Sequence, residues 1–250
     1  MSEQTAAVSP GGGGWFAYLR PRRFQYLLGI FLAYAVVTPI LGQDVFARLI
    51  SAVISSIAMV QTCVAILPKR RVVLLGSLLA FLVSIYGSFV TVANYPPFNG
   101  VVCQSSVKII SILFYAMAGR LIFIDVIRAG AVDVNKLCGS ICLYILIGVL
   151  WGQFYQLCDV LDPGCFLLDL SKLTRHGDIS LYERGSLLNY FSFVTLSTLG
   201  YGDISPVTRI TRTLSYSEAI LGQLYIAVLV SRLVGLHIAS TTTSADADTE

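Results

Sequence analysis

The sequence predicts an all-α membrane protein with six transmembrane helices and a re-entrant segment between the fifth and sixth. Three observations carry that prediction. The 250-residue chain is 56% hydrophobic and only 12% charged, about half the charge of an ordinary soluble domain. Its mean hydropathy is +0.76. Its apolar residues fall in runs of the length a bilayer requires, about 20 residues at 1.5 Å rise per residue. So few charges cannot cover a soluble surface of this size, which excludes soluble globular and disordered classes for the bulk of the chain. A net charge of +3, scattered along the chain, gives no footprint for nucleic acid.

Five apolar runs precede residue 160: Phe24–Leu41, Val45–Leu67, Val72–Val92, Val101–Val126 and Leu137–Leu157. A sixth, Val207–Ile238, is longer than a perpendicular crossing needs and is accommodated by tilting or by projecting from the bilayer. Between the last two lies Leu187–Leu199, too short to cross, preceded by Ser186 as N-cap and followed by glycines. Such a segment is tolerated at membrane depth only where protein buries it or it lines a water-filled path. Arg20, Arg22 and Arg23 precede the first run, Lys69–Arg71 separate the second and third, and Arg128 and Lys136 flank the turn after the fourth. The loops around Gly42–Asp44 and Asn94–Gly100 carry no Lys or Arg. The positive-inside rule therefore places both termini in the cytoplasm and Cys158–Pro206 outside. Residues 1–14 are polar, so no cleaved leader is expected. Residues 1–23 and 240–250 read as mobile cytoplasmic segments. No internal repeat is present, so symmetry is expected from association of several chains.

The string Tyr190–Pro206, YFSFVTLSTLGYGDISP, concentrates the chemistry. Glycine at alternate positions allows a backbone to point successive carbonyls one way. Carbonyls converging from several chains replace the hydration shell of a cation. The C-terminal end of a short helix aimed at the same point favours positive charge there. This string resembles the signature TVGYG of potassium channels, with Leu199 in place of valine. The resemblance extends through Thr195, Ser197 and Asp203 to Pro206 and into Glu218–Gly235, which is similar to the inner helix of bacterial six-transmembrane channels. It is strong over Tyr190–Gly235, architectural over the fifth span and weak before it.

The resemblance implies a potassium-selective homotetramer in the plasma or inner membrane. Thr198, Leu199, Gly200 and Tyr201 would hold K⁺ through carbonyls, Thr198 also through its hydroxyl, and Gly202 would shape the outer turn. Asp203, Tyr190, Phe191 and Thr195 would support the filter, and Gly222 would be a gating hinge. It divides the chain into a voltage-sensor-like four-helix domain, 24–134, and a pore domain, 135–239. The fourth run departs from a sensor: it offers Lys108 and Arg120, with no charge between them at steps of three. Moving one charge through a 100 mV field is worth about 2.3 kcal/mol, so weak or absent voltage dependence is expected. Lys108 and Arg120 read as residues reaching for the interfaces, with Asp125 paired to Arg120 or Arg128.

Glu218 is an acid inside the last run and a further expected support of the filter: it bonds the back of the short helix or Arg212, or takes part in filter gating or pH sensing. Gln223 and Tyr225 have two possible surroundings, the aqueous cavity or a neighbouring chain. Cys158 and Cys165 flank a turn-rich outer loop and form a candidate disulfide, with Cys103 as a competing partner. His176 and His237 are isolated. The six cysteines form no metal pattern, and no nucleophile–base pair suggests an enzyme. K⁺ in the pore is the expected ion and membrane lipids the expected surroundings, with no organic cofactor, nucleic acid or soluble partner. The competing reading is a ligand- or lipid-gated non-selective cation channel.

Overall fold

The structure, a computed structural model, describes residues 22–40, 45–66, 82, 86, 100–127, 134–169 and 181–247. In chain order the elements are α1 (Arg23–Ile40), α2 (Val45–Ile66), α3 (Val101–Ile127), α4 (Val134–Leu161), β1 (Phe166–Leu168), α5 (Leu181–Leu196), β2 (Ile204–Pro206) and α6 (Arg209–Ala247). The expected first, second, fourth, fifth and sixth runs are thus helical. The expected third span, Val72–Val92, lies outside the described residues apart from two helical positions, 82 and 86.

Among the described residues three helical stretches are long and apolar enough to cross a membrane: Val101–Ile127, Val134–Leu161 and Arg209–Ser231. In α1 and α2 the qualifying apolar stretches are shorter, Arg23–Val37 and Val53–Cys63. Two boundaries differ from expectation. The short helix starts at Leu181, not Leu187, so Ser186 lies inside it and is not its cap. Glu183 in its first turn complements the positive helix end. Helix α6 continues to Ala247 through most of the expected mobile tail. Extending a formed helix adds one hydrogen bond per residue without a new nucleation cost, and no proline interrupts α6 after residue 209.

Packing follows the apolar faces. Helix α4 is central, touching α1, α3, α5 and α6. One core joins Phe24, Leu27 and Phe31 of α1 to Ala118, Ile122 and Val126 of α3 and Cys142, Leu143 and Leu146 of α4. The ends of the same three helices are joined by polar contacts. Arg23 pairs with Asp125 at 2.5 Å and lies over the Phe24 ring. Asn135 Oδ1 accepts the Phe24 amide N–H at 3.0 Å, satisfying one of the donors a helix start leaves open. Asp125 thus takes Arg23 as its partner; Arg120 is exposed.

A second core holds Tyr155, Cys165, Phe166, Leu188, Phe191 and Ile204. It sits beneath a two-stranded antiparallel ladder, β1 against β2, in the register Phe166–Pro206, Leu167–Ser205 and Leu168–Ile204. Beyond the strands, the Asp169 amide donates to the Asp203 carbonyl and the Val207 amide to the Cys165 carbonyl, both at 2.9 Å. Thr208 then caps α6: its hydroxyl accepts the Thr211 amide at 3.3 Å.

The expected Cys158–Cys165 disulfide is not formed, since both are free thiols. Cys165 turns inward into the second core, and Cys158 packs half-buried against it. Cys103 faces the Tyr86 hydroxyl, 2.9 Å from its Sγ. Burial first, and then the Asp159 carboxylate, push the Cys165 thiol up to about 12. It therefore stays protonated at neutral pH, and the thiolate is the reactive form. Maleimide at pH 8 is expected to leave Cys165 unmodified in the folded protein and to label it in denaturant; mass spectrometry of the labelled peptides reads both.

Candidate functional site

Helix α5 ends in a Schellman motif. The Thr198 amide bonds the Thr195 carbonyl and the Leu199 amide bonds the Val194 carbonyl, each at 2.9 Å. That motif requires a left-handed residue at its penultimate position, and Thr198 fills it at φ +58°. A β-branched residue there is a true outlier, with a cost of roughly 1–2 kcal/mol. Glycine would satisfy the turn without strain, so a threonine there has its hydroxyl to offer.

The left-handed conformation then recurs at every second residue: Thr198 at +58°, Gly200 at +61° and Gly202 at +71°. Leu199 and Tyr201 between them are not left-handed. Alternation of this kind turns successive peptide carbonyls toward one side instead of opposite sides. Among the described residues none of the carbonyls from Thr198 to Gly202 accepts a hydrogen bond, and all five residues are exposed in the single chain. Unpaired main-chain oxygens in one row form an oxygen-only ligand set, suited to a hard cation.

Side chains hold that row from behind. The Tyr190 hydroxyl donates to Asp203 Oδ2 at 2.7 Å, and Asp203 Oδ1 accepts the Ile204 amide at 3.0 Å. The Tyr190 and Tyr201 rings stack at 6.5 Å with 11° between their planes. Phe191 is buried against Tyr155 and Phe166. At the inner end, Gln223 Nε2 donates to the Thr198 hydroxyl oxygen at 3.1 Å, while that hydroxyl donates to the Ser197 carbonyl at 2.7 Å. A hydroxyl has one proton and two lone pairs. These two bonds use the proton and one lone pair, leaving the other for a ligand. Tyr225 instead bonds the Ser140 carbonyl on α4 at 2.6 Å.

Glycines allow helix α5 its seat. An added Cβ at Gly148 would lie 2.6 Å from the Phe193 ring, and one at Gly152 only 2.1 Å from Asn189 Oδ1. These two glycines, four apart on α4, form the small-xxx-small spacing that lets helices approach closely in membranes. Gly222 does the same from α6: its missing Cβ would stand 2.2 Å from the Leu196 carbonyl oxygen. Helix α6 runs through the expected hinge as one element, so close approach is the role visible at Gly222. Because the obstructing atom is backbone, Gly222→Ala is expected to destabilise the protein by about 1–3 kcal/mol, read as a lowered unfolding temperature in detergent.

Glu218 lies behind α5 and is fully buried. It takes Tyr155 of α4 at 2.5 Å and Ser192 of α5 as partners. Ser192 also donates to the Gly148 carbonyl at 2.6 Å, so its single proton sits between two acceptors. Arg212, the alternative partner for Glu218, donates to the Pro206 carbonyl at 3.3 Å instead. Arg184 grips Asp159 with two bonds, 2.5 and 2.7 Å, tying the start of α5 to the end of α4.

Residues 180–237 match an ion channel family. The matched segment runs from α5 through the row of carbonyls into α6, the same parts that build the site. No curated protein matches the chain. The family match and the apolar helices support an ion channel in a membrane, a protein that moves its substrate without transforming it. Among the described residues no group of three or more His, Cys, Asp or Glu side chains is placed to hold a metal.

Proposed function

We propose that the chain is a potassium-selective channel, assembled as a homotetramer in the plasma or inner membrane, with weak or no dependence on voltage. The observation that carries this reading is the alternation of left-handed residues at 198, 200 and 202 beside carbonyls that accept no hydrogen bond among the described residues. One chain supplies one such row, whereas a dehydrated cation needs oxygens on all sides, so four copies around an axis complete the shell. Helix α5 serves as the pore helix, Thr198–Gly202 as the filter and α6 as the inner helix. Six spans, with α5 re-entrant between the last two, accommodate the apolar runs and put the filter at the outer face.

Selectivity follows from replacing water with oxygens held at fixed spacing, and passage from binding that is shared among adjacent sites. The stack of Tyr190 on Tyr201 and the bond from Tyr190 to Asp203 resist collapse or widening of the row. The test is the reversal potential of the reconstituted chain in opposing K⁺ and Na⁺ gradients. It is expected close to the K⁺ equilibrium potential. A reversal near zero would favour a non-selective cation channel, and absence of current would overturn the channel reading.

A further inference from the structure

The fourth apolar run carries a lysine whose surroundings in the fold differ from an interface. Lys108 lies seven residues after Val101, about 10 Å along the axis of α3. Its ammonium donates to Gln156 Oε1 on α4 at 2.6 Å. The other end of that amide donates twice to α5: Gln156 Nε2 reaches the Gly185 carbonyl at 3.1 Å and Asn189 Oδ1 at 3.0 Å. Gln156 is buried, 7% exposed.

The direction of this chain is fixed by what each group is able to do. An ammonium only donates and a main-chain carbonyl only accepts. The glutamine between them therefore has one orientation, oxygen toward α3 and nitrogen toward α5. Asn189 sits in the notch left by Gly152, where its Oδ1 occupies the space of a side chain. Hence Lys108 is joined to the pore helix through one buried amide. A half-buried cation joined to a neutral amide, and to neither of the ion-paired carboxylates Asp125 and Asp159, is a costly arrangement on an apolar helix that packing alone does not require.

A coupling device needs an element with two arrangements. Three residues before Lys108, on the same side of α3, Ser105 holds a buried hydroxyl that has no partner among the described residues. Side chains three apart on a helix have their Cβ atoms about 5–6 Å from each other. The Ser105 hydroxyl is thus an unpartnered acceptor about one helical turn from the lysine.

We propose that Lys108 is a positioning residue through which the peripheral helices control the filter: bonded to Gln156 it steadies the pore helix in its conducting position, and released toward Ser105 it lets that helix relax and conduction stop. This rests on the channel reading above. It gives the first helices a task that needs no sensor arginines.

The test is single-channel recording of the full-length chain in planar bilayers. Lys108→Met, close in length and uncharged, is expected to lower open probability at least fivefold, with unitary conductance and reversal potential unchanged. Lys108→Arg, which keeps a donor, is expected to stay within twofold of wild type. Gln156→Leu cuts the same link, so the double variant with Lys108→Met is expected to match Gln156→Leu alone. Wild-type open probability in Lys108→Met, or independent multiplication of the two effects, overturns the link while the channel reading stands. An altered unfolding temperature with unaltered open probability overturns it also, as that marks a structural role only. Absence of K⁺ current in the wild type overturns the channel reading and this inference with it. Should Lys108→Met fail to assemble, Gln156→Glu, which keeps the acceptor for the lysine and loses both donors to α5, is expected to give the same fall in open probability, and wild-type behaviour there overturns the proposal.

Discussion

Gly200→Ala is expected to abolish potassium flux, by at least tenfold, from liposomes that carry the same amount of assembled protein. Space is not the obstacle, because a Cβ at Gly200 meets nothing within 4 Å among the described residues. The obstacle is backbone conformation. Gly200 sits at φ +61°, and an L-residue held there costs roughly 1–2 kcal/mol. In the four-chain assembly proposed above that becomes about 4–8 kcal/mol, far more than the ~1.4 kcal/mol that shifts an equilibrium tenfold. The alanine-bearing row relaxes by flipping the peptide, which turns one ring of carbonyls away from the axis. A potassium-sensitive dye in the liposomes reads the loss, and survival of wild-type flux would remove the alternating backbone from the mechanism.

The second large effect is at Glu218. Glu218→Leu removes the acceptor of the buried Tyr155 hydroxyl and one of the two acceptors of Ser192. The buried Tyr155 hydroxyl, robbed of its partner, costs about 1–3 kcal/mol, while Ser192 keeps the Gly148 carbonyl as its remaining acceptor. The expected outcome is a lowered unfolding temperature together with reduced K⁺ flux. Glu218→Gln keeps an acceptor and is expected to fall between Glu218→Leu and wild type. A double-mutant cycle with Tyr155→Phe measures the coupling; additive effects would show that the two side chains act separately.

What was legible in the sequence was what depends on near neighbours. The alternate glycines, the threonine before them and the acid after them occupy adjacent positions, and the structure places left-handed residues at 198, 200 and 202 with Asp203 bonded behind them. The helical runs were legible from apolar length alone. The start of α5 was misplaced because hydrophobicity was followed and the pairing of Ser180 with Glu183 was not; serine followed three residues later by glutamate is a helix-start signature. The strands β1 and β2 escaped because three residues each are too few to establish an alternating pattern.

Partners distant in sequence were beyond reach for a different reason. Arg23 and Asp125 are 102 residues apart, and Lys108 and Gln156 are 48 apart. Only the close packing of α3 and α1 on α4 decides which charge meets which group. Taken alone, Lys108 read as a side chain reaching for water, because a single helix has no second helix to offer it an amide. The spacing Gly148–Gly152 was visible, but the helix that fills the notch was not.

The β1–β2 ladder has a practical corollary. Because backbone bonds fasten residues 165–169 to 203–207, the segment that follows the row of carbonyls is tied to the end of α4 by main-chain groups, which no side-chain substitution removes. An environment-sensitive label at Leu167, whose side chain is exposed on β1, is therefore expected to report on the neighbourhood of Asp203 without altering the backbone there.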